Sequence, residues 1–251
     1  IGVRLVGSEM CIRDRYNMGA SLLLNADLAL LHFFNGSGNM LLDQIVWLLS
    51  SGSTWVPLYL ALFYIVMRNN ETMSQIGLVV VMAILCIFFS DGLVDGIIKP
   101  LVARWRPSND PVIKYTIEVV NNMRLKDFSF CSAHAANTMS LAVFFSLLIR
   151  SRLMTFTLVF WSLLNCWTRL YLGVHYPSDI LCGLVLGVVV GILVYLLYYR
   201  LYYKISPKIK YISNQYTSTG YAHDDLDYVM GVIMFILVYV LLRACIMMSG
   251  F

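Results

Sequence analysis

Charge is scarce in this 251-residue chain. Asp, Glu, Lys and Arg make up 13% of it, where a soluble domain carries about a quarter. With 59% hydrophobic residues, that shortage excludes an ordinary soluble globule. Strand-like alternation of apolar and polar residues is missing, which argues against an outer-membrane barrel. The formal charge of +4 is small. The basic residues sit at helix ends rather than in one patch, so nucleic acid is not an expected partner. The six cysteines lack disulfide or zinc spacing. Cys86, Cys166, Cys182 and Cys245 lie inside apolar runs and read as small apolar side chains. There is no internal repeat, no low-complexity tract, and no Asp/Glu/His cluster with divalent-ligand character, so no cofactor is expected.

What is present is a series of apolar stretches approaching the ~20 residues that cross a bilayer as a helix. They predict an all-α, polytopic membrane helical bundle of about six transmembrane helices, with a short interfacial helix at the N-terminus. Residues 1–15 are charged, aperiodic and unlike the rest of the chain. Residues 1–17 therefore read as a non-native leader, Met18 as the start, and 18–251 as one membrane domain. Residues 22–34 are apolar but short for a span, and end at the turn signal Asn35-Gly36-Ser37-Gly38-Asn39. A short helix over 41–49 is broken at Ser50-Ser51-Gly52-Ser53. Spans are then expected over 55–67, 76–98, 135–149, 153–171, 177–199 and 228–248. A polar loop over 99–129 holds Pro100, Pro107 and Pro111, and a basic, aromatic linker covers 200–227.

Alternating these spans places Arg68, Arg150, Arg152, Arg200, Lys204, Lys208 and Lys210 on one side of the membrane. Lys99, Arg104, Arg106, Lys114, Arg124 and Lys126 fall on the other. Basic residues committed to chemistry are poor orientation markers. With Lys99 and Arg106 set aside, the Arg68/Arg150/Arg200 side is the cytoplasmic one. The expected setting is a bacterial inner membrane with the site facing the periplasm or exterior.

Charged residues at membrane depth are costly and default to function. Here they gather in three segments: Lys99 to Pro107, Cys131-Ser132-Ala133-His134, and Thr168-Arg169 followed by His175 and Asp179. The span alternation puts all three at helix ends on one side. Arg106 and Arg169 can each grip phosphate oxygens with two donors, and Lys99 adds a point charge. Ser132 and the backbone N–H groups that open the next helix add further donors and a favourable field. Pro177 suits the first turn of a helix. Asp179 then lies one turn in, placed to hold one ring nitrogen of His175 and leave the other free to attack. His134 is placed to act as proton donor to a leaving oxygen. Arg169 pairing with Asp179 as a structural bridge is the plain alternative. Asp91, Asp95 and Lys99 share one helix face, either as a structural ion pair or with Asp95 aiming Lys99. His32 and His223 have no such partners.

These residues resemble the type 2 phosphatidic-acid phosphatase family, the membrane branch of the acid-phosphatase and vanadium-haloperoxidase superfamily. That family carries K-x6-R-P, P-S-G-H and S-R-x5-H-x3-D. Lys99 with Arg106-Pro107 matches the first in full. Ser132 and His134 match the second, and Arg169, His175 and Asp179 match the third, with Thr168 in place of serine. The resemblance covers residues 76–195. It implies that His175 becomes phosphorylated, that His134 protonates the leaving group and that Asp179 orients His175. It also implies that Lys99, Arg106, Ser132, Ala133 and Arg169 bind the phosphate. Ala133 stands where the family has glycine, and a positive φ there would strain an alanine. The implied activity is metal-independent hydrolysis of a phosphomonoester or diphosphate on a membrane lipid. Polyprenyl diphosphate, phosphatidylglycerophosphate, phosphatidate and lipid A are the candidates. A lipid phosphotransferase would use the same residues. A non-catalytic protein that binds or moves anionic lipid is the reading from outside enzymology.

Overall fold

The computed structural model describes residues 24–205 and 215–248. The expected leader over 1–17 lies outside them, as does much of the expected linker. The described residues form helices α1 (Leu24–Phe34), α2 (Met40–Ser50), α3 (Val56–Arg68), α4 (Met73–Val102), α5 (Ala133–Ile149), α6 (Arg152–Tyr171), α7 (Pro177–Ile205) and α8 (His223–Met248). No strand occurs among the described residues.

Local chemistry sets most of the helix starts. Asn39 caps α2, its side chain accepting from the Leu41 and Leu42 amides. Thr72 and Gln75 close a reciprocal capping box on α4, and Ser132 and Ser151 cap α5 and α6. Between α2 and α3 the serine-rich break folds as a 3-10 turn over Gly52–Trp55, and the two helices bend by 68°. The α4 helix passes through a π turn at Val94–Ile98 before ending at Val102. It is thus longer than the expected 76–98. The extra residue of a π turn shifts the phase of the helix, a feature common beside functional sites, and Lys99 follows it directly.

Helices α3 to α8 give the six-helix bundle expected. By length and apolarity, α4, α7 and α8 each suffice to cross a membrane, and the bent α2–α3 pair is long and apolar enough for a fourth crossing if its two halves act as one span. α5 is apolar but has only 17 residues. α6 spends its polar side chains on helix backbone, as burial away from water demands. Thr157 Oγ1 donates to Leu153 O at 2.9 Å, Asn165 Nδ2 to Trp161 O at 2.9 Å and Thr168 Oγ1 to Asn165 O at 2.7 Å. Large apolar side chains such as Phe88, Phe156 and Leu181 remain exposed on the outer faces, where lipid would cover them.

α5 is the central helix, buried on most of its surface. It lies against Gly183, Gly187 and Gly191 of α7, spaced at every fourth residue. A Cβ at Gly187 would come within 2.5 Å of the Ala136 carbonyl oxygen, and one at Gly183 within 2.5 Å of the Ser132 carbonyl oxygen. Only glycine permits this backbone approach, the small-residue packing used between membrane helices. The contact runs from the bundle interior to the N-terminus of α5, so it also sets the height of Ser132 and His134.

The two ends of the bundle are tied differently. At one end Asp225 of α8 receives Asn69 Nδ2 at 2.9 Å and lies 3.8 Å from Arg68, while Thr219 donates to the Ile149 carbonyl at 2.9 Å. At the other end the loop over 103–132 folds across the helix ends. Asn35 donates to the carbonyls of Glu118 and Tyr171 and accepts from the Glu118 amide, joining the turn after α1 to this loop and to α6. Two expected boundaries move. α7 continues past Tyr199 to Ile205, with Tyr195, Tyr198, Tyr199, Tyr202 and Tyr203 in ring contact along it. α8 begins at His223 rather than Tyr228, because Asp224 and Asp225 favour a helix N-terminus.

Candidate active site

The three charged segments converge at the loop-covered end. Lys99 sits in the last turn of α4, buried at 7% exposure. Ala103 turns the chain with φ of +46°, and Arg104 and Arg106 follow. Arg106 is 2% exposed and its donors are spread over three partners. Nη1 reaches the Val174 carbonyl at 2.9 Å and His175 Nε2 at 3.2 Å. Nη2 reaches Asp127 Oδ2 at 2.6 Å, and Nε reaches the Asp127 carbonyl at 2.9 Å.

His175 lies in the short connection between α6 and α7. Gly173, with φ of +63°, turns the chain there, and a Cβ would collide with Ile117 Cγ2. The imidazole is flanked by groups of opposite character. Its Nδ1 is 3.7 Å from Asp179 Oδ2 and 3.4 Å from Ser129 Oγ. Its Nε2 faces Arg106, which has only donors. Nε2 must therefore present its lone pair, and Nδ1 carries the proton. Burial keeps the ring neutral, lowering its pKa to about 4 from the ordinary 6.5; Asp179 opposes that pull and Arg106 adds to it.

Asp179 is fully buried in the first turn of α7 and is saturated with donors. Arg104 Nη1 holds Oδ1 at 2.7 Å, the Tyr176 amide holds Oδ2 at 2.9 Å, and Ser129 Oγ donates to Oδ2 as well. Its backbone carbonyl accepts from the Ser132 amide at 3.1 Å, which joins the second and third motifs. Arg104 stacks on the Tyr176 ring, 3.7 Å from its centroid, and its Nη2 meets Asp27 of α1 at 2.8 Å. Asp27 also accepts from the Ser178 amide and hydroxyl.

Arg169 is buried near the end of α6. It donates to the Ser50 carbonyl at 2.8 Å, while its Nε has no partner. The alternative in which Arg169 bridges to Asp179 does not hold, because Arg104 is the guanidinium on that carboxylate. Ser132 is the N-cap of α5, its hydroxyl accepting from the Ala135 amide at 3.4 Å. Ala133 opens the helix without a positive φ, so replacement of glycine introduces no strain. His134 lies in the first turn, near enough to feel Arg169, His175, Lys99 and Arg106 electrostatically. Among the described residues no hydrogen bond joins its ring, or the Arg169 side chain, to the other motif residues. Asp95 pairs with Lys99 at 2.9 Å, whereas Asp91 takes Asn137 instead.

Four residues enter this site that pattern reading did not single out: Asp27, Arg104, Asp127 and Ser129. Arg104 lay inside the first motif and Asp127 and Ser129 just ahead of the second, so proximity to a motif was their one signal. Among the described residues no group of three His, Cys, Asp or Glu side chains could hold a metal ion.

The PAP2 superfamily profile matches residues 76–203, half of the chain. The chain belongs to the PAP2 superfamily. Two PAP2 relatives are both lipid A 4'-phosphatases. That of Bacteroides thetaiotaomicron is 38% identical over 165 residues, covering 65% of this chain and 73% of the relative. That of Porphyromonas gingivalis is 33% identical over 157 residues, covering 61% and 64%. Two solved structures share the fold. Aquifex aeolicus LpxE superposes with a TM-score of 0.51 at 24% identity, over 66% of this chain and 93% of that one. The transmembrane PAP2 type phosphatidylglycerolphosphate phosphatase of Bacillus subtilis does so with 0.53 at 19%, over 75% and 90%. The resemblance found in the three motifs is thereby borne out, as are the all-α membrane bundle and the assignment as a phosphatase.

Proposed function

We propose that this PAP2 phosphatase removes a phosphate monoester from lipid A, or from a lipid of similar architecture, through a phosphohistidine on His175. The observation that carries the reading is the orientation of His175. Asp179 and Ser129 stand on its Nδ1 side, and its Nε2 lone pair faces the buried guanidinium of Arg106. The lipid A preference is supported by the 38% identical relative.

In this reading Lys99, Arg106 and Arg169 hold the phosphate oxygens, with Ser132 and the Ala133 amide at the start of α5. Three cations and a helix N-terminus match the charge that accumulates on a five-coordinate phosphorus. Nε2 attacks phosphorus and the bond to the lipid oxygen breaks. His134 gives its proton to that oxygen as the lipid alcohol leaves. His134 then takes a proton from water as the water attacks phosphorus, releasing phosphate and restoring both histidines. Asp179 stabilises the charge that develops on the His175 ring. The site faces the periplasm of a bacterial inner membrane, with Arg68, Arg150 and Arg152 at the cytoplasmic end.

Purified protein in detergent, given bis-phosphorylated lipid A, should release one phosphate, and mass spectrometry of the product should locate the loss. Phosphatidylglycerophosphate, phosphatidate and polyprenyl diphosphate run in parallel set the preference. Turnover of those three with none of lipid A would overturn the substrate assignment.

A further inference from the structure

The Asp127 carboxylate stands where a phosphate oxygen is needed. Its Oδ2 receives Lys99 Nζ at 2.7 Å and Arg106 Nη2 at 2.6 Å. Arg106 Nη1, on the same guanidinium, touches His175 Nε2. One anionic oxygen thus bridges the two cations of the first motif, one guanidinium away from the nitrogen read as the nucleophile.

Three observations distinguish this from a structural ion pair. The side chains of Lys99 and Arg106 are buried at 9% and 2% exposure, whereas that of Asp127 is 52% exposed. The cations are built in, and the anion can swing out to water. Lys99 already has a counter-ion in Asp95 on its own helix, so its burial does not require Asp127. Asp127 lies in the loop before α5, outside any helix, so moving its side chain disturbs no ladder of backbone hydrogen bonds.

We propose that Asp127 is a resident anion of the phosphate seat. It occupies Lys99 and Arg106 between turnovers, gives way to the substrate phosphate, and returns to displace the product phosphate. The proposal rests on the reading of Lys99 and Arg106 as phosphate ligands. Its physical logic is that buried cations with no resident anion repel one another and hold inorganic phosphate tightly, which slows product release. An internal carboxylate weakens binding of substrate and product phosphate alike, and that uniform weakening need not slow the chemical step.

The test measures orthophosphate and orthovanadate binding to the full chain in detergent by titration calorimetry, alongside steady-state inhibition. Asp127→Asn keeps the shape and removes the charge, and Asp127→Ser removes both. Each should bind both anions about tenfold tighter or more, the scale of one charge-assisted hydrogen bond, with a lower KM and no gain in kcat. Unchanged or weaker binding would mean that Asp127 aims the cations, and overturns the proposal. A readout on the unaltered protein stands apart from folding of the variants. Carbodiimide coupling of Asp127 to an amine, followed by peptide mass spectrometry, should rise several-fold when vanadate fills the seat. No rise, or a fall, overturns it too. Lys99→Ala and Arg106→Ala should both weaken vanadate binding. If neither does, the seat itself is wrongly assigned and the proposal falls with it.

Discussion

Arg104 and His175 address opposite oxygens of one carboxylate: Arg104 Nη1 lies 2.7 Å from Asp179 Oδ1, and His175 Nδ1 lies 3.7 Å from Oδ2. Asp179 is fully buried, so its charge is tolerable there because Arg104 pairs with it while the Tyr176 amide and Ser129 donate to its other oxygen.

Arg104→Ala should therefore cost both stability and rate. Removing one partner of a buried ion pair costs about 3–5 kcal/mol, and Arg104, at 23% side-chain exposure, belongs at the low end. The melting temperature in detergent and kcat should fall together. Arg104→Lys should recover much of the stability and less of the kcat, because one ammonium cannot span Asp179 and Asp27 as the guanidinium does. Full kcat in Arg104→Ala would remove Arg104 from any positioning role.

The two histidines should fail differently. His175→Ala should lose turnover on every substrate and lose the acid-labile phosphoprotein trapped by quenching. His134→Ala should lose about 10²–10⁴-fold on a lipid phosphate, the usual worth of general acid catalysis, and much less on p-nitrophenyl phosphate, whose leaving group needs little help. A phosphoprotein that persists in His175→Ala and vanishes in His134→Ala would mean that the roles are reversed.

The buried His175 also gives stability a pH dependence. Its folded pKa of about 4 lies below the unfolded value near 6.5. Between these values the unfolded chain binds more protons than the folded one, so stability rises with pH across that window. The stabilisation from neutral His175 is complete above about pH 6.5 and is lost as pH falls toward 4. The melting temperature of the wild type should fall across this range, and His175→Gln should fall less steeply. Equal slopes would assign the effect to other groups.

Packing of α5 on α7 is tested at Gly187. An added methyl meets the Ala136 carbonyl at 2.5 Å, where the neighbour is backbone and cannot yield cheaply. Gly187→Ala should cost about 1–3 kcal/mol, as overpacking does, and Gly187→Leu should prevent a stable bundle. A shift of α5 carries Ser132 and His134 with it, so KM should rise in any folded Gly187→Ala protein. Unchanged melting and KM would refute the close-contact account.

Chelation probes the donor set of the seat. In the proposed mechanism the positive charge facing the phosphate comes from three side chains, Lys99, Arg106 and Arg169, so activity should persist in excess EDTA. Activity that disappears on chelation and returns with magnesium would sink the metal-independent mechanism.

The motif residues were legible because each carries charge or hydrogen-bonding capacity in an apolar chain and keeps a fixed spacing. The helix start at Pro177 was legible because proline suits a first helical turn, whereas the cap at Thr72, ahead of the expected start at 76, was not. Other features required three dimensions. Asp27 is 77 residues from Arg104 in sequence, and nothing local marks it as a partner. The glycines at 183, 187 and 191 are ordinary inside an apolar run, and their meaning appears only with Ala136 against them. Asp127 and Ser129 sit in a polar loop where charge is commonplace, and only the buried Lys99, Arg106 and Asp179 single them out. The end of α7 was misplaced because tyrosines and basic residues signal a membrane interface and a continuing helix equally well.

The anchoring of α1 has a practical consequence for anyone trimming this protein. The stretch that matches the superfamily, 76–203, contains every motif residue, yet two of its guanidinium groups are tethered outside it. Arg104 is held by Asp27, and Arg169 by the carbonyl of Ser50. A fragment cut to the matched borders would keep the whole chemical signature, yet Arg104 would lose Asp27 while keeping Asp179, and Arg169 would lose the Ser50 carbonyl. A fragment meant to keep both tethers should therefore begin at α1, about fifty residues ahead of the start of that matched stretch.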